Sequence, residues 1–282
     1  MFVTDLDGTL FTDDKRIDAI DLDALKYLGK VGIVRAFATG RSLYSFQKAV
    51  KKMGFDPSCK DLPVDYVLFS TGAGIMECES GNIIKSHSLN SEDVRLIADY
   101  FDSLNLDYMI HRPVPDTPYC IYRQQSVIQN PDFTSRIELY RDFCTKINCQ
   151  EEIQEFGPST EVLTIVPSGW GHKTADMVEQ YLADYSVIRA TSPLDGRSIW
   201  IEVFNRSVSK SKAVSWLAQR LFIDRQNVIS IGNDYNDLDM LHWAGQGFVV
   251  QNAPESFKEH FTAVASNNEC GVSQAIAMFY KN

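Results

Sequence analysis

Two carboxylates two residues apart, Asp5 and Asp7, stand in the run Asp5-Leu6-Asp7-Gly8-Thr9-Leu10, directly after the short β-like stretch Phe2-Val3-Thr4. Residues i and i+2 of an extended strand point to the same side, so these two negative charges face one another and repel. A cation relieves that repulsion, which makes the pair a candidate metal site. In an open parallel sheet ligands bind beyond the carboxyl ends of the strands, and the pair falls at such an end. Gly8 lets the chain turn away sharply. For an isolated Asp-x-Asp-Gly the alternative is a surface Asx turn.

The elements that must position this pair follow from the apolar spacing. Over the first ~85 residues strand and helix signals alternate. Phe2 to Asp5 reads as a strand, Ile17, Ile20, Leu25 and Leu28 as a helix, and Val34 to Thr39 as a second strand. Ser42 is an expected N-cap ahead of the apolar stripe Leu43, Phe46, Val50 and Met53, and Tyr66 to Phe69 a third strand. Strands joined through helices imply right-handed crossovers and a parallel sheet. The last ~80 residues return to the same rhythm, with a helix through Val214, Leu217 and Leu221, the strand Val228 to Ile231, a helix around Leu238 and Leu241, and short strands at Phe248 to Val250 and Ala263 to Ala265.

The middle reads differently. A helix through Val94, Ile97, Phe101 and Leu104 precedes strand-like stretches at 108–110, 119–122, 162–166, 187–190 and 199–203, punctuated by Pro113, Pro115, Pro118, Pro131 and Pro158. The expected architecture is an α/β core formed by residues 1–87 and 199–282, with an α+β domain, residues 88–198, inserted into it.

The run Asp5-Leu6-Asp7-Gly8-Thr9 resembles the signature of the haloacid dehalogenase superfamily of phosphohydrolases, and three further motifs in order extend the resemblance. Thr39 in Ala38-Thr39-Gly40-Arg41 stands where the family places a Thr or Ser closing the second strand. Lys210 in Ser209-Lys210-Ser211-Lys212-Ala213 stands where it places a Lys opening a helix, with Lys212 as competitor. Gly232-Asn233-Asp234-Tyr235-Asn236-Asp237, followed by Met240-Leu241, matches its acidic loop with one departure: Asn233 replaces the first Asp. Asn252-Ala253 and Gly271-Val272 are similar to the close of the Cof-like branch, whose relatives carry a large α/β cap between the second and third motifs. The resemblance covers both ends of the chain and implies a Rossmann-like core bearing an inserted cap.

That resemblance implies a mechanism. Asp5 becomes the nucleophile, forming an aspartyl-phosphate. Mg²⁺ is held among Asp5, Asp7, Asn233, Asp234 and Asp237, so that carboxylate and phosphate dianion can approach. An amide oxygen can ligate a hard cation, so Asn233 and Asp234 both remain open as ligands. Leu6, Thr39, Gly40, Lys210 and Asn236 line the phosphate, and Lys210 balances its charge. Asp7 gives its carbonyl to the metal and its side chain to proton transfer, which calls for a pKa raised toward neutrality. The substrate is a small phosphorylated metabolite, most simply a sugar phosphate. The inserted domain is expected to cover the site and read the leaving group, with Arg112 and Arg123 as substrate-reading cations and His111, Arg189 and Arg197 behind them. The alternatives are a phosphomannomutase-like phosphotransferase and a non-catalytic sugar-phosphate-binding protein, the latter motivated by Asn233.

Composition is consistent with this reading. The 282 residues carry 27 Lys and Arg against 37 Asp and Glu, a net charge of −10, which argues against a general nucleic-acid or anionic-membrane footprint. An anionic substrate then requires a local positive field, and Mg²⁺ with one Lys supplies it. There is no apolar run of membrane-spanning length. With acidic residues where an apolar leader would be needed and no Cys-x-x-Cys pair, the expectation is a cytoplasmic protein with six reduced thiols. Oligomeric state is left open.

Overall fold

The computed structural model describes residues 1–280. In chain order the elements are β1 (Phe2–Thr4), α1 (Ala19–Lys30), β2 (Arg35–Ala38), α2 (Leu43–Lys52), β3 (Tyr66–Phe69), β4 (Gly74–Glu77) and β5 (Ile83–Ser86). Then come α3 (Ser91–Ser103), β6 (Tyr108–His111), β7 (Cys120–Arg123), α4 (Pro131–Leu139), β8 (Cys144–Lys146), α5 (Gln150–Phe156), β9 (Glu161–Val166), α6 (Ser168–Tyr181), β10 (Ser186–Thr191) and β11 (Ile199–Phe204). The chain closes with α7 (Lys210–Arg220), β12 (Ile229–Gly232), α8 (Leu238–Trp243), β13 (Gln246–Val250), α9 (Glu255–Lys258), β14 (Thr262–Val264) and α10 (Gly271–Tyr280). Two compact units result, one of Met1–Lys85 with Ser209–Asn282 and one of Ser86–Val208.

The first unit is built on a sheet of order β14-β13-β12-β1-β2-β3-β4-β5, parallel from β14 to β3 and antiparallel at β4. β1 lies between β2, which follows it, and β12, which arrives some 225 residues later (Phe2 pairs with both Arg35 and Ile229). The winding direction therefore reverses at β1, and the crevice beyond its carboxyl end is the place where such sheets bind ligands. Helices cover both faces of a parallel sheet, so its central strands are apolar throughout. Accordingly Phe2, Val3 and Thr4 are all buried. Val3, Ala36, Ala38 and Leu68 pack against Ala213, Val214 and Leu217 of α7 and Met240 of α8. Ser42 caps α2 as expected, its hydroxyl accepting from the Ser45 N–H at 3.2 Å.

The second unit carries a sheet of order β10-β11-β9-β6-β7-β8, antiparallel except for the β7–β8 pair. Two apolar layers lie on its two faces, one through Val94, Ile97, Phe101, Ala175 and Val178, the other through Phe133, Leu163, Ile165 and Trp200. β11 pairs with both β9 and β10, so residues 199–208 belong to this unit, and the second boundary falls ten residues later than the expected 198/199. An apolar run such as Ile199-Trp200-Ile201 reads equally well as a strand of either sheet, which is why spacing misplaced it. Cys120 and Cys144 face each other across β7 and β8 with Cα atoms 4.6 Å apart, the spacing of neighbouring strands, and Cys59, Cys78, Cys149 and Cys270 are free thiols.

Candidate active site

Asp5 is the first residue past β1, its N–H donating to the Ile231 carbonyl of β12 at 3.0 Å. Its side chain is only 7% exposed. Lys210 opens α7 under the Ser209 N-cap, whose hydroxyl accepts from Lys212 N–H. The Lys210 side chain is wholly buried, and its Nζ donates to Asp5 Oδ1 at 2.7 Å and to Asp237 Oδ1 at 2.6 Å. Burial works against the Lys210 charge, but Asp237 and Asp5 outweigh it and hold the ammonium protonated. Burial pushes the Asp5 carboxyl well above the ordinary carboxylate range, Asp237 adds to the rise, and Lys210 opposes it. The competitor Lys212 is exposed.

Asp237, expected among the metal ligands, is spent otherwise. Its Oδ1 is on Lys210 and its Oδ2 accepts the backbone N–H groups of Asn233 at 2.9 Å and Asp234 at 3.1 Å. It braces the loop and the lysine together. Gly232 is required beneath it, because a Cβ there would lie 2.6 Å from Asp237 Cβ. Asp234 caps the short turn 235–237, its Oδ1 accepting from the Tyr235 N–H at 2.8 Å. Of the two residues left open as ligands, Asn233 is the one at Asp5. The inward atom of its amide lies 3.2 Å from Asp5 Oδ2, 3.0 Å from the Asp7 carbonyl oxygen and 2.9 Å from Thr9 Oγ1.

Asp5 Oδ2, the Asp7 carbonyl and the Asn233 amide converge on one point. Among the described residues no cluster of three or more His, Cys, Asp or Glu side chains is arranged to hold a metal. The donor set is instead one carboxylate oxygen, one backbone carbonyl and one side-chain amide, all hard oxygens when Asn233 Oδ1 faces inward. Adjacent oxygens of an octahedral magnesium site with bonds of about 2.1 Å are about 3 Å apart, and the separations at Asp7 and Asp5 are 3.0 and 3.2 Å. The residues present fit a small divalent cation.

The Asp7 side chain departs from expectation. Arg41 grips it with two N–H groups, Nε to Oδ2 at 2.5 Å and Nη2 to Oδ1 at 2.7 Å, and Lys15 Nζ adds a third contact at 3.1 Å. Burial alone would raise the Asp7 carboxyl, but Arg41 and Lys15 outweigh it and hold it below the usual carboxylate range. The expected rise toward neutrality is therefore absent in this state. Neither cation was singled out by motif; the only signal for Arg41 was its place directly after Thr39-Gly40 in an acidic protein.

The remaining residues expected to line a phosphate gather at the same crevice. Thr39 Oγ1 accepts from the Arg41 N–H at 3.1 Å, so its own proton is left to donate. The point where a Gly40 Cβ would stand is 3.5 Å from Asn236 Nδ2 and 3.7 Å from Thr71 Oγ1. The Leu6 carbonyl accepts from Thr9 and Phe11 N–H and closes the turn after Asp5. Ser70 and Thr71 follow β3 in left-handed conformation, φ 47° and 56°, and their N–H groups donate to the Arg41 and Thr39 carbonyls at 2.7 and 3.0 Å. Strain of that kind is held where the surroundings demand it, and no motif pointed to it.

The cations expected to read substrate are engaged inside the second unit. Arg123 donates to Asp102 at 2.6 Å, and Arg189 to Glu179 and Asp176. The Arg112 guanidinium lies 4.6 Å over the Phe156 ring in a groove with Tyr119, Glu152 and Glu155. His111 is buried, its Nδ1 2.8 Å from the Thr117 carbonyl and its Nε2 3.3 Å from Arg136, and burial together with Arg136 lowers its pKa to about 3. Arg197 sits in the loop between β10 and β11, its N–H on Asp195. The spacing of these residues carried no information about their partners.

The model of the haloacid dehalogenase-like hydrolase family matches residues 2–276. The chain belongs to this family. Of its relatives, YxeH of Bacillus subtilis (strain 168), provisionally named a phosphatase, is 27% identical over 98% of this chain and 96% of its own length. YwtE of the same organism, named a 5-amino-6-(5-phospho-D-ribitylamino)uracil phosphatase, is 23% identical over 96% of this chain and 95% of its own. The solved structure of the subclass IIB sugar phosphatase BT4131 superimposes with a TM-score of 0.74 at 17% identity, over 99% of this chain and 98% of that one. The fold of this family member is thus an α/β core with a parallel sheet and an inserted second unit. None of its helices is long and apolar enough to cross a membrane among the described residues.

Proposed function

We propose that the chain is a Mg²⁺-dependent phosphatase that hydrolyses a small phosphomonoester through an aspartyl-phosphate on Asp5. The observation that carries this reading is the buried Lys210 ammonium shared between Asp5 and Asp237 at the switch point of the sheet. A lysine so placed keeps the Asp5 carboxylate ionised in a site where burial favours the neutral acid, and it meets the charge of an arriving phosphate. Asp5 Oδ2, the Asp7 carbonyl and Asn233 would hold the cation. When bound, it supplies the positive charge that lets two anions meet and polarises the phosphoryl oxygens.

The chain's own residues then divide the work. The Asp5 carboxylate attacks phosphorus, forming an O–P bond as the bond to the leaving oxygen breaks. Thr39 donates its hydroxyl proton to a phosphoryl oxygen, and the Leu6 backbone and Asn236 amide are the further donors at that edge. Asp7 gives a proton to the leaving alkoxide and, ionised afterward, takes one from the water that cleaves the aspartyl-phosphate. The ionised form is the one Arg41 and Lys15 stabilise, so the Arg41 grip must loosen for the first step and suits the second.

The proposed substrate class is a phosphorylated polyol or sugar. Support comes from two relatives whose names specify a phosphoribityl compound and a sugar phosphate. The test is phosphate release from a panel of phosphomonoesters with Mg²⁺. Release from sugar or alditol phosphates is expected, and release from none of the panel overturns the reading. Transfer of the phosphoryl group to a second sugar without release would favour a phosphotransferase instead.

A further inference from the structure

The Asn233 amide faces a place where its two ends have opposite consequences. With Oδ1 inward, three oxygens converge, the amide oxygen standing 3.0 Å from the Asp7 carbonyl and 3.2 Å from Asp5 Oδ2. In that orientation the Thr9 hydroxyl donates to it at 2.9 Å, while the outward Nδ2 meets only donors. Acceptors facing one another in a sheltered pocket are costly without a cation. With Nδ2 inward, the same three neighbours become acceptors for its two protons: the Asp7 carbonyl at 3.0 Å, Asp5 Oδ2 at 3.2 Å and Thr9 Oγ1 at 2.9 Å. An aspartate, the residue expected here by resemblance, has no such second face.

We propose that Asn233 is a two-position group at the metal pocket. Nδ2 ties Asp5 Oδ2 to the Asp7 carbonyl while no cation is bound, and the amide turns over to present Oδ1 when a divalent cation enters. Gly8 leaves room for the turn: a Cβ at that position would lie 2.6 Å from the outward Asn233 nitrogen. The amide thereby does in the empty protein what the cation does in the loaded one, holding the nucleophile and the turn after it in place. Entry of the cation must break those hydrogen bonds, so affinity is given up in exchange for a preformed empty site. The inference rests on the metal-dependent reading above, but its test needs no turnover.

Thermal unfolding with and without Mg²⁺, and calorimetric titration of Mg²⁺, on the full chain and its Asn233→Asp variant supply the test. In EDTA the variant is expected to melt below wild type, because a carboxylate then faces Asp5 and the Asp7 carbonyl. Saturating Mg²⁺ should close or reverse that gap, with Mg²⁺ bound about ten-fold tighter. Asn233→Ala, which can neither donate nor ligate, should melt above Asn233→Asp in EDTA and bind Mg²⁺ more weakly than wild type. The Asn233 side-chain amide signal, identified by its loss in the variants, should shift as Mg²⁺ is added. Equal melting of wild type and Asn233→Asp in EDTA, equal Mg²⁺ affinity, or an unmoved amide signal would each overturn the proposal. Failure of the phosphate-release screen alone would remove the phosphatase reading and leave this one standing.

Discussion

Lys210 and Asp5 are 205 residues apart in the chain, yet Nζ and Oδ1 are 2.7 Å apart in the fold. The contact exists because β1 is the switch point of the sheet. The strand that begins the chain and the helix that opens after the insertion meet there, and Asp237 on the neighbouring loop shares the same ammonium. Removing the charge leaves two buried carboxylates without their counter-ion. Lys210→Met is expected to lower turnover about 10³-fold and to destabilise the protein by ~3–5 kcal/mol, the usual cost of breaking a buried pair. Steady-state kinetics and denaturant unfolding would check both, and a fully active variant would contradict the role.

Arg41 stabilises an ionised Asp7, and linkage gives the effect a direction. A carboxyl held below its unfolded value contributes stability above the unfolded pKa of about 3.9, and that stability is lost as pH falls through the folded pKa. The melting temperature of Arg41→Ala should therefore fall below that of wild type at pH 7, with the gap narrowing in strong acid. A gap that widens in acid would contradict this.

The buried pair Glu161 and Glu202 in the second sheet predicts the opposite trend. Burial, then the Glu202 charge, pushes the Glu161 carboxyl well above the ordinary glutamate range, with Arg136 opposing. Its proton is retained on folding, so the associated stability is full below about pH 4.3 and lost as pH rises through the folded value. Glu161→Gln, neutral throughout, should gain on wild type in melting temperature between pH 5 and pH 8. A constant difference over that range would show that Glu161 does not carry the dependence.

Much of this site was legible because its parts are local. Asp5, Asp7 and Gly8 are neighbours in sequence, and β1, β2 and β12 read as strands from their apolar runs. Thr39 and Lys210 were placed by motif, and the fold brings them to the same crevice. What was not legible depends on side-chain partners that sequence separation hides. Arg41 on Asp7 and Asp237 on Lys210 are ion pairs across 34 and 27 residues, and nothing in their spacing specifies them. The β4–β5 edge, α4 and α5 were missed because short elements of four to nine residues hold too few turns or alternations to show a period. Arg123 illustrates the converse. As a lone arginine it could read a substrate; in the fold it shares Asp102 with Gln125 and Gln150.

The central claim is that Asp5 carries the phosphoryl group, and Asp5→Asn tests it most directly, by phosphate release from p-nitrophenyl phosphate with Mg²⁺, on protein whose circular dichroism matches wild type. The expected result is release at the background rate, because the amide cannot attack phosphorus while Lys210 and Thr39 remain in place. Turnover equal to wild type would contradict the account.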